Sequence, residues 1–287
     1  MSTQPYAIFS PENRCTSVVF ASPHSGRNYA SEFVERSILD AHTIRSSEDA
    51  FVDQLFAAAP SHGAPLVAAC APRAFLDLNR AHGELDPALI EGVRKIGHNP
   101  RVASGLGVIP RVVANGRAIY SGKMTQAEAE QRIAKYWHPY HAALQTLLDE
   151  ARAQYGEAIL IDCHSMPHEA VVGLTNGRIR RPEIVLGDRF GAAADVEIVD
   201  QIEAIFVEAD FVVWRNAPFA GAYVTQHYGR PNRNQHAIQI EIDRSLYMDE
   251  AQIVASADFE SFRTRLNAVI GKIAAIGVAG HQSLAAE

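Results

Sequence analysis

The sequence predicts an α/β fold: one layered domain over residues 1–287, with a mostly parallel central sheet flanked by helices. Three observations carry this prediction. Short apolar runs rich in β-branched residues recur at 17–21, 66–69, 158–161, 183–186, 211–214 and 237–242. Several are continuously apolar, as strands covered on both faces are. Segments of helical spacing lie between them, and strands that alternate with helices favour a parallel sheet. No repeat, low-complexity tract or linker-like stretch divides the chain.

The helical segments follow from their apolar spacing and their ends. Phe51, Val52, Leu55 and Phe56 form one stripe, with Asp49 and Asp53 on another face, so a helix is expected to begin near SSEDAFVDQL. The longest helix is predicted over 125–155. Thr125 and Glu128 fit a capping box there, in which hydroxyl and carboxylate each satisfy a free N–H. Pro139 should kink or divide it, because proline removes a ladder bond and clashes with the preceding turn. A last helix runs from about Asp258 to Gly277, with Phe259, Phe262, Leu266, Val269, Ile270 and Ile273 on one side.

Composition narrows the function classes. With 26 basic against 33 acidic side chains the formal net charge is −7. That balance argues against a general nucleic-acid binder, which needs a basic surface for phosphates. No window approaches the roughly 18 uninterrupted apolar residues of a membrane span. The N-terminal segment lacks a basic cluster leading into an apolar run, so no secretory signal is expected. Three cysteines, Cys15, Cys70 and Cys163, are odd in number and widely separated, which suits reduced thiols in a cytoplasm.

In parallel α/β folds the chemistry gathers beyond the carboxyl ends of the strands. Three runs lead into groups that can bind metal or move a proton. SVVFASPHSG carries His24 in a turn, AILIDCHSMP carries His164 just past a strand end, and HAIQIEIDR carries Glu241 in a strong strand. The expected helix at SSEDAFVDQL adds Glu48 and Asp49 at its start. Two histidines and a carboxylate on separate elements are what a catalytic zinc needs, with a further carboxylate to take a proton from water. Plainer readings stand beside this one: Asp49 as a helix N-cap, Glu48 as a complement to the helix dipole, and each histidine as structural. Glu241 resists such a reading, since a carboxylate within AIQIEI is costly unless paired or functional.

Arginines suggest the substrate. AFLDLNR ends with Asn79 and Arg80, a pair able to grip a carboxylate through an amide and a planar fork, although Arg80 could equally form a surface ion pair. GAYVTQHYGRPNRN, rich in glycine and polar residues, reads as a substrate loop carrying Tyr223, His227 and Arg230. His138 and His141 lack a metalloprotease-type glutamate and read as a structural or surface pair. GLGVIP has too few glycines for a dinucleotide fingerprint, and no G-x-S-x-G elbow occurs.

Seven of these segments, SPHSG, SSEDAFVDQLF, AFLDLNR, GLGVIPR, IDCHSMP, GAYVTQHYGRP and QIEIDRSLYMDE, stand in an order that resembles the N-formylglutamate amidohydrolase family from His24 to about Glu250. The resemblance implies a phosphorylase/hydrolase-like fold similar to the zinc carboxypeptidases. It implies one Zn2+ per chain, or another divalent metal in its place, held by His24, His164 and a carboxylate, Asp49 in preference to Glu48, with Glu241 as general base. Asn79 and Arg80 would bind the carboxylate of a small N-acyl amino acid. The implied reaction is hydrolysis of the formyl amide of N-formyl-L-glutamate, in amino-acid catabolism such as histidine degradation. SSED in place of an acidic–aromatic lead, and RPNRNQHA ahead of the glutamate strand, leave room for another N-acyl substrate or a carboxypeptidase-like reaction. A non-catalytic metal or carboxylate binder is the remaining alternative.

Overall fold

The structure is a computed structural model that describes residues 4–94, 99–174 and 180–278. Its central feature is a seven-stranded sheet in the order β1-β3-β2-β4-β7-β5-β6. The strands are β1 (Tyr6–Phe9), β2 (Val18–Ser22), β3 (Leu66–Ala69), β4 (Ala158–Met166), β5 (Ile184–Gly187), β6 (Val213–Arg215) and β7 (Gln235–Asp243). β2 pairs parallel with β4 and β4 parallel with β7, whereas β5 runs antiparallel to β7. The mostly parallel sheet is therefore mixed, with its change of direction between β7 and β5. Helices flank it, as the alternating pattern predicts.

The six apolar runs all become strands, but five run past their predicted carboxyl ends, β4 by far the most. β4 continues from Ile161 through Asp162, Cys163, His164 and Ser165 to Met166. His164 thus lies within the strand rather than beyond it. The ladder explains the difference: β4 is flanked by β2 and β7, and its pairing with β7 runs from Ala158↔Gln235 to Met166↔Asp243. Backbone bonds to a parallel neighbour carry polar residues that an apolar window leaves out. β1, at the edge of the sheet, is not among the predicted runs; only its first two residues are half-buried, the last two being exposed.

The chain packs into two compact units, one of 1–7, 23–50 and 68–143, the other of 8–22, 51–67 and 144–287. In the first, Arg132 lies in an aromatic cage. Its guanidinium sits 4.2 Å from the Phe75 ring centre and donates to the Tyr120 hydroxyl at 2.8 Å and to Glu128 at 2.6 Å. Thr125 caps the helix Gln126–Arg132 by accepting from the Glu128 N–H. The Glu128 carboxylate is taken by Arg36 and Arg132, so only half of the capping box carries over. A π-helical turn, Ile133–Trp137, then leads into the helix His138–Tyr155. That wider turn is where the backbone accommodates the N–H missing at Pro139.

In the second unit, the helix Phe259–Ile276 buries the predicted stripe, Phe259, Phe262, Leu266, Val269, Ile270 and Ile273, together with Ala274. Leu266 is fully buried. Leu266→Ala should lower unfolding stability by about 2–5 kcal/mol, the cost of lost transfer energy plus a cavity. A urea titration that moves by less than about 1 kcal/mol would contradict this packing.

The expected helix near SSEDAFVDQL is shorter than its stripe. It spans Val52–Leu55, and Phe51 before it has a left-handed backbone with φ of 68°. Glu48 and Asp49 precede that kink, so neither caps the helix nor complements its dipole.

Candidate metal centre

His24 follows β2 in the turn Pro23-His24-Ser25-Gly26. Gly26 lets this turn approach the chain closely, since a Cβ there would lie 2.1 Å from the Ala71 carbonyl oxygen. The Asp49 N–H donates to the His24 carbonyl at 3.1 Å, which ties the Glu48–Asp49 segment to the same turn. His24 Nδ1 stands 3.4 Å from Asp49 Oδ2, and both side chains are buried.

The other ring nitrogen, His24 Nε2, lies 2.7 Å from Asp77 Oδ1. Burial opposes charge on Asp77, but His24, Arg73 and Arg80 hold its carboxyl well below the usual carboxylate range. An ionised carboxylate can only accept, so Nε2 carries a proton and donates to Asp77. Arg73 Nε and the Asn79 N–H complete the contacts of Asp77, at 3.0 and 2.8 Å.

Glu48 is committed elsewhere. Arg45 grips both of its oxygens, Nε to Oε1 at 3.0 Å and Nη2 to Oε2 at 3.1 Å, and the Tyr29 hydroxyl donates to Oε1 at 2.6 Å.

On the sheet, His164 and Asp162 alternate along β4 and so share one face. His164 Nε2 lies 3.0 Å from Asp162 Oδ2, and both side chains are buried. In the β4–β7 register His164 is opposite Glu241 and Asp162 is opposite Gln239. Glu241 is buried, and Gln239 Nε2 donates to its Oε1 at 2.8 Å. Cys163 points to the opposite face of β4; burial, with Asp162 nearby, pushes its thiol up, which leaves it inert as a nucleophile.

His24, Asp49 and His164 are all buried, and each offers one donor atom. This group could bind a metal. Two imidazoles and a carboxylate suit zinc in its three-ligand form, and each imidazole has its Nε2 against a buried carboxylate, Asp77 for His24 and Asp162 for His164.

A family model for N-formylglutamate amidohydrolase matches residues 16–248. The chain belongs to the N-formylglutamate amidohydrolase family. That family places it among hydrolases that act on a linear amide. The crystal structure of N-formylglutamate amidohydrolase from Ralstonia eutropha JMP134 is 33% identical, with a TM-score of 0.88 over 95% of this chain and 98% of that one. N-formylglutamate deformylase of Pseudomonas putida is 28% identical over 82% of this chain and 83% of its own length. The enzyme of the same name from Pseudomonas aeruginosa is 29% identical over 81% and 82%. A protein of Agrobacterium tumefaciens shares the fold at a TM-score of 0.66 and 16% identity.

Asn79 and Arg80, the pair predicted to bind a carboxylate, sit in a braced turn. Each carbonyl from Leu78 to Arg80 has a side-chain donor: His141 Nε2 at 3.0 Å to Leu78, Arg80 Nη1 at 2.9 Å to Asn79, and Trp137 Nε1 at 2.9 Å to Arg80. Arg80 also donates Nε to the Leu106 carbonyl at 3.1 Å, within the GLGVIP segment. Burial lowers the Arg80 pKa while the charge of Asp77 raises it. His141 is thus a buried brace for the turn, and His138 is exposed.

The segment read as a substrate loop contains a helix, Tyr223–Tyr228. Tyr223 and His227 stack one turn apart, with ring centres 5.0 Å apart. Arg230 is exposed and turns back on this helix, its Nη1 donating to the Gln226 and Gly229 carbonyls at 2.8 and 2.7 Å. Three polar residues escape the sequence reading. Asp162 had a usable signal, two residues before His164 on one strand face. Asp77 had none, because its partners converge from a turn and a distant segment. Tyr228 is buried, and burial together with Tyr223 and Asp162 raises its pKa, so it remains a neutral hydroxyl.

Proposed function

We propose that this protein is a zinc-dependent deformylase that hydrolyses N-formyl-L-glutamate to formate and L-glutamate. The observation that carries the proposal is the buried donor group of His24, Asp49 and His164, with Glu241 opposite His164 on the neighbouring strand. The names of the Ralstonia and Pseudomonas relatives support the substrate.

His24, Asp49 and His164 would hold one zinc per chain. Glu48, the alternative to Asp49, has its carboxylate engaged by Arg45 and Tyr29, which favours Asp49. When bound, zinc supplies a Lewis acid and lowers the pKa of water toward about 7. Glu241 accepts the proton of the attacking water and returns it to the departing amine nitrogen, so that the C–N bond breaks to give formate and a free amino group. Gln239 Nε2 donates to one Glu241 oxygen and so orients the carboxylate. Arg80 and Asn79 grip a substrate carboxylate from a turn that cannot easily shift, and this orients the amide. Tyr223, His227 and Arg230 would supply further substrate contacts. The same reading puts the protein in the cytoplasm and in amino-acid catabolism, with histidine degradation as its pathway. Among the described residues no helix is long and apolar enough to cross a membrane.

Formate release from N-formyl-L-glutamate by metal-quantified protein tests the proposal, before and after chelation. Activity should vanish on chelation and return with zinc. Release of acetate or a C-terminal residue from acetyl or peptidyl analogues, without formate, would replace the substrate. Failure to take up zinc would overturn the metal.

A further inference from the structure

Asp77 stands at a junction that neither the metal group nor the substrate residues explain alone. One of its oxygens, Oδ1, accepts from two directions: His24 Nε2 at 2.7 Å and the Asn79 N–H at 2.8 Å. The other, Oδ2, is clamped by Arg73 Nε at 3.0 Å. The carboxylate is therefore held at both ends and cannot rotate freely. Its side chain is almost fully buried, whereas Arg73 is partly exposed. A buried carboxylate needs hydrogen bonds to its remaining lone pairs besides its ion pair, and which groups supply them is not fixed by that need. This one spends an oxygen on joining a histidine ring to the backbone of the turn that presents Arg80.

We propose that Asp77 is the positioning residue that couples the metal-binding and carboxylate-binding parts of the site, by orienting the His24 ring through Nε2 and anchoring Asn79 through the same oxygen. The inference rests on the reading of His24 as a metal ligand. Its physical content is that the separation between metal and substrate carboxylate is set by one side chain, within hydrogen-bond tolerance. A substrate whose carboxylate lies at another distance from its amide would not meet both ends together. Because the turn from Leu78 to Arg80 is also braced through its carbonyls, a change at Asp77 would be felt mainly by His24 and by the Asn79 amide.

Asp77→Asn tests this, since it preserves volume while removing the charge. Zinc affinity, measured by competition with a chromophoric chelator, should fall by about 10- to 100-fold. KM for N-formyl-L-glutamate at saturating zinc should rise by about tenfold, as for loss of a charge-assisted hydrogen bond. A variant that lost zinc affinity with KM unchanged would overturn the coupling, and one with both unchanged would overturn the role altogether. Should Asp77→Asn fail to fold, nitrogen-15 spectra of the His24 ring in the metal-free wild-type protein decide the matter. A proton is expected on Nε2, and an unprotonated Nε2 would refute the assignment. If the wild-type protein bound no zinc, the metal reading would fail, and the protonation of His24 Nε2 would still show whether Asp77 orients the ring.

Discussion

Glu241→Gln is expected to cut formate release by about 10²- to 10⁴-fold, the usual contribution of a general base, while leaving one zinc per chain in place. The substitution is nearly isosteric. Gln239 Nε2 can still donate to the side-chain oxygen of residue 241, and the β4–β7 register that places it opposite His164 is a backbone property. What disappears is the capacity to take a proton. Turnover and metal content measured on the same preparation separate the two roles, and near-normal turnover would sink the assignment of the base. Loss of zinc along with activity would instead make Glu241 a ligand.

His164→Ala should abolish stoichiometric zinc binding. The fall in affinity should exceed the roughly 10- to 100-fold that a change in an outer-shell partner produces. The thermal stabilisation that zinc gives the wild-type protein, about 2.7 kcal/mol at a hundredfold excess over Kd, should be lost as well. Removing the ring also takes a partner from Asp162, which is fully buried, so some intrinsic stability will go with it. Metal content is therefore the deciding measurement, taken on protein whose circular dichroism remains native. Full zinc occupancy in the folded variant would remove His164 from the ligand set.

The strand skeleton was legible because the buried strands are apolar without interruption, and that alone located His24, His164 and Glu241 near strand ends. The ends themselves were less legible. An apolar window stops at Ile161, but hydrogen bonds to β7 carry β4 on to Met166. The Asp49 segment was misread for a different reason: the stripe of Phe51, Val52, Leu55 and Phe56 has helical spacing, and spacing does not register that Phe51 takes a left-handed backbone. A polar, glycine-containing stretch likewise hid the helix Tyr223–Tyr228, which shields its buried residues against neighbouring elements rather than by its own periodicity. Asp77 stands in AFLDLNR beside Asn79 and Arg80, but its contact with His24 joins residues far apart in the chain and leaves no mark in the motif.

The ladder between β4 and β7 has a further consequence for how this protein can lose activity. His164 and Glu241 hang from facing residues of two nine-residue strands that are buried throughout. Segments of that kind open to solvent only with the whole domain, whereas loops and chain ends fray at little cost. Amide protons at these positions would thus exchange on the timescale of global unfolding. The spacing between His164 and Glu241 is then as durable as the fold, and heat or denaturant should not erode it gradually before the sheet itself gives way.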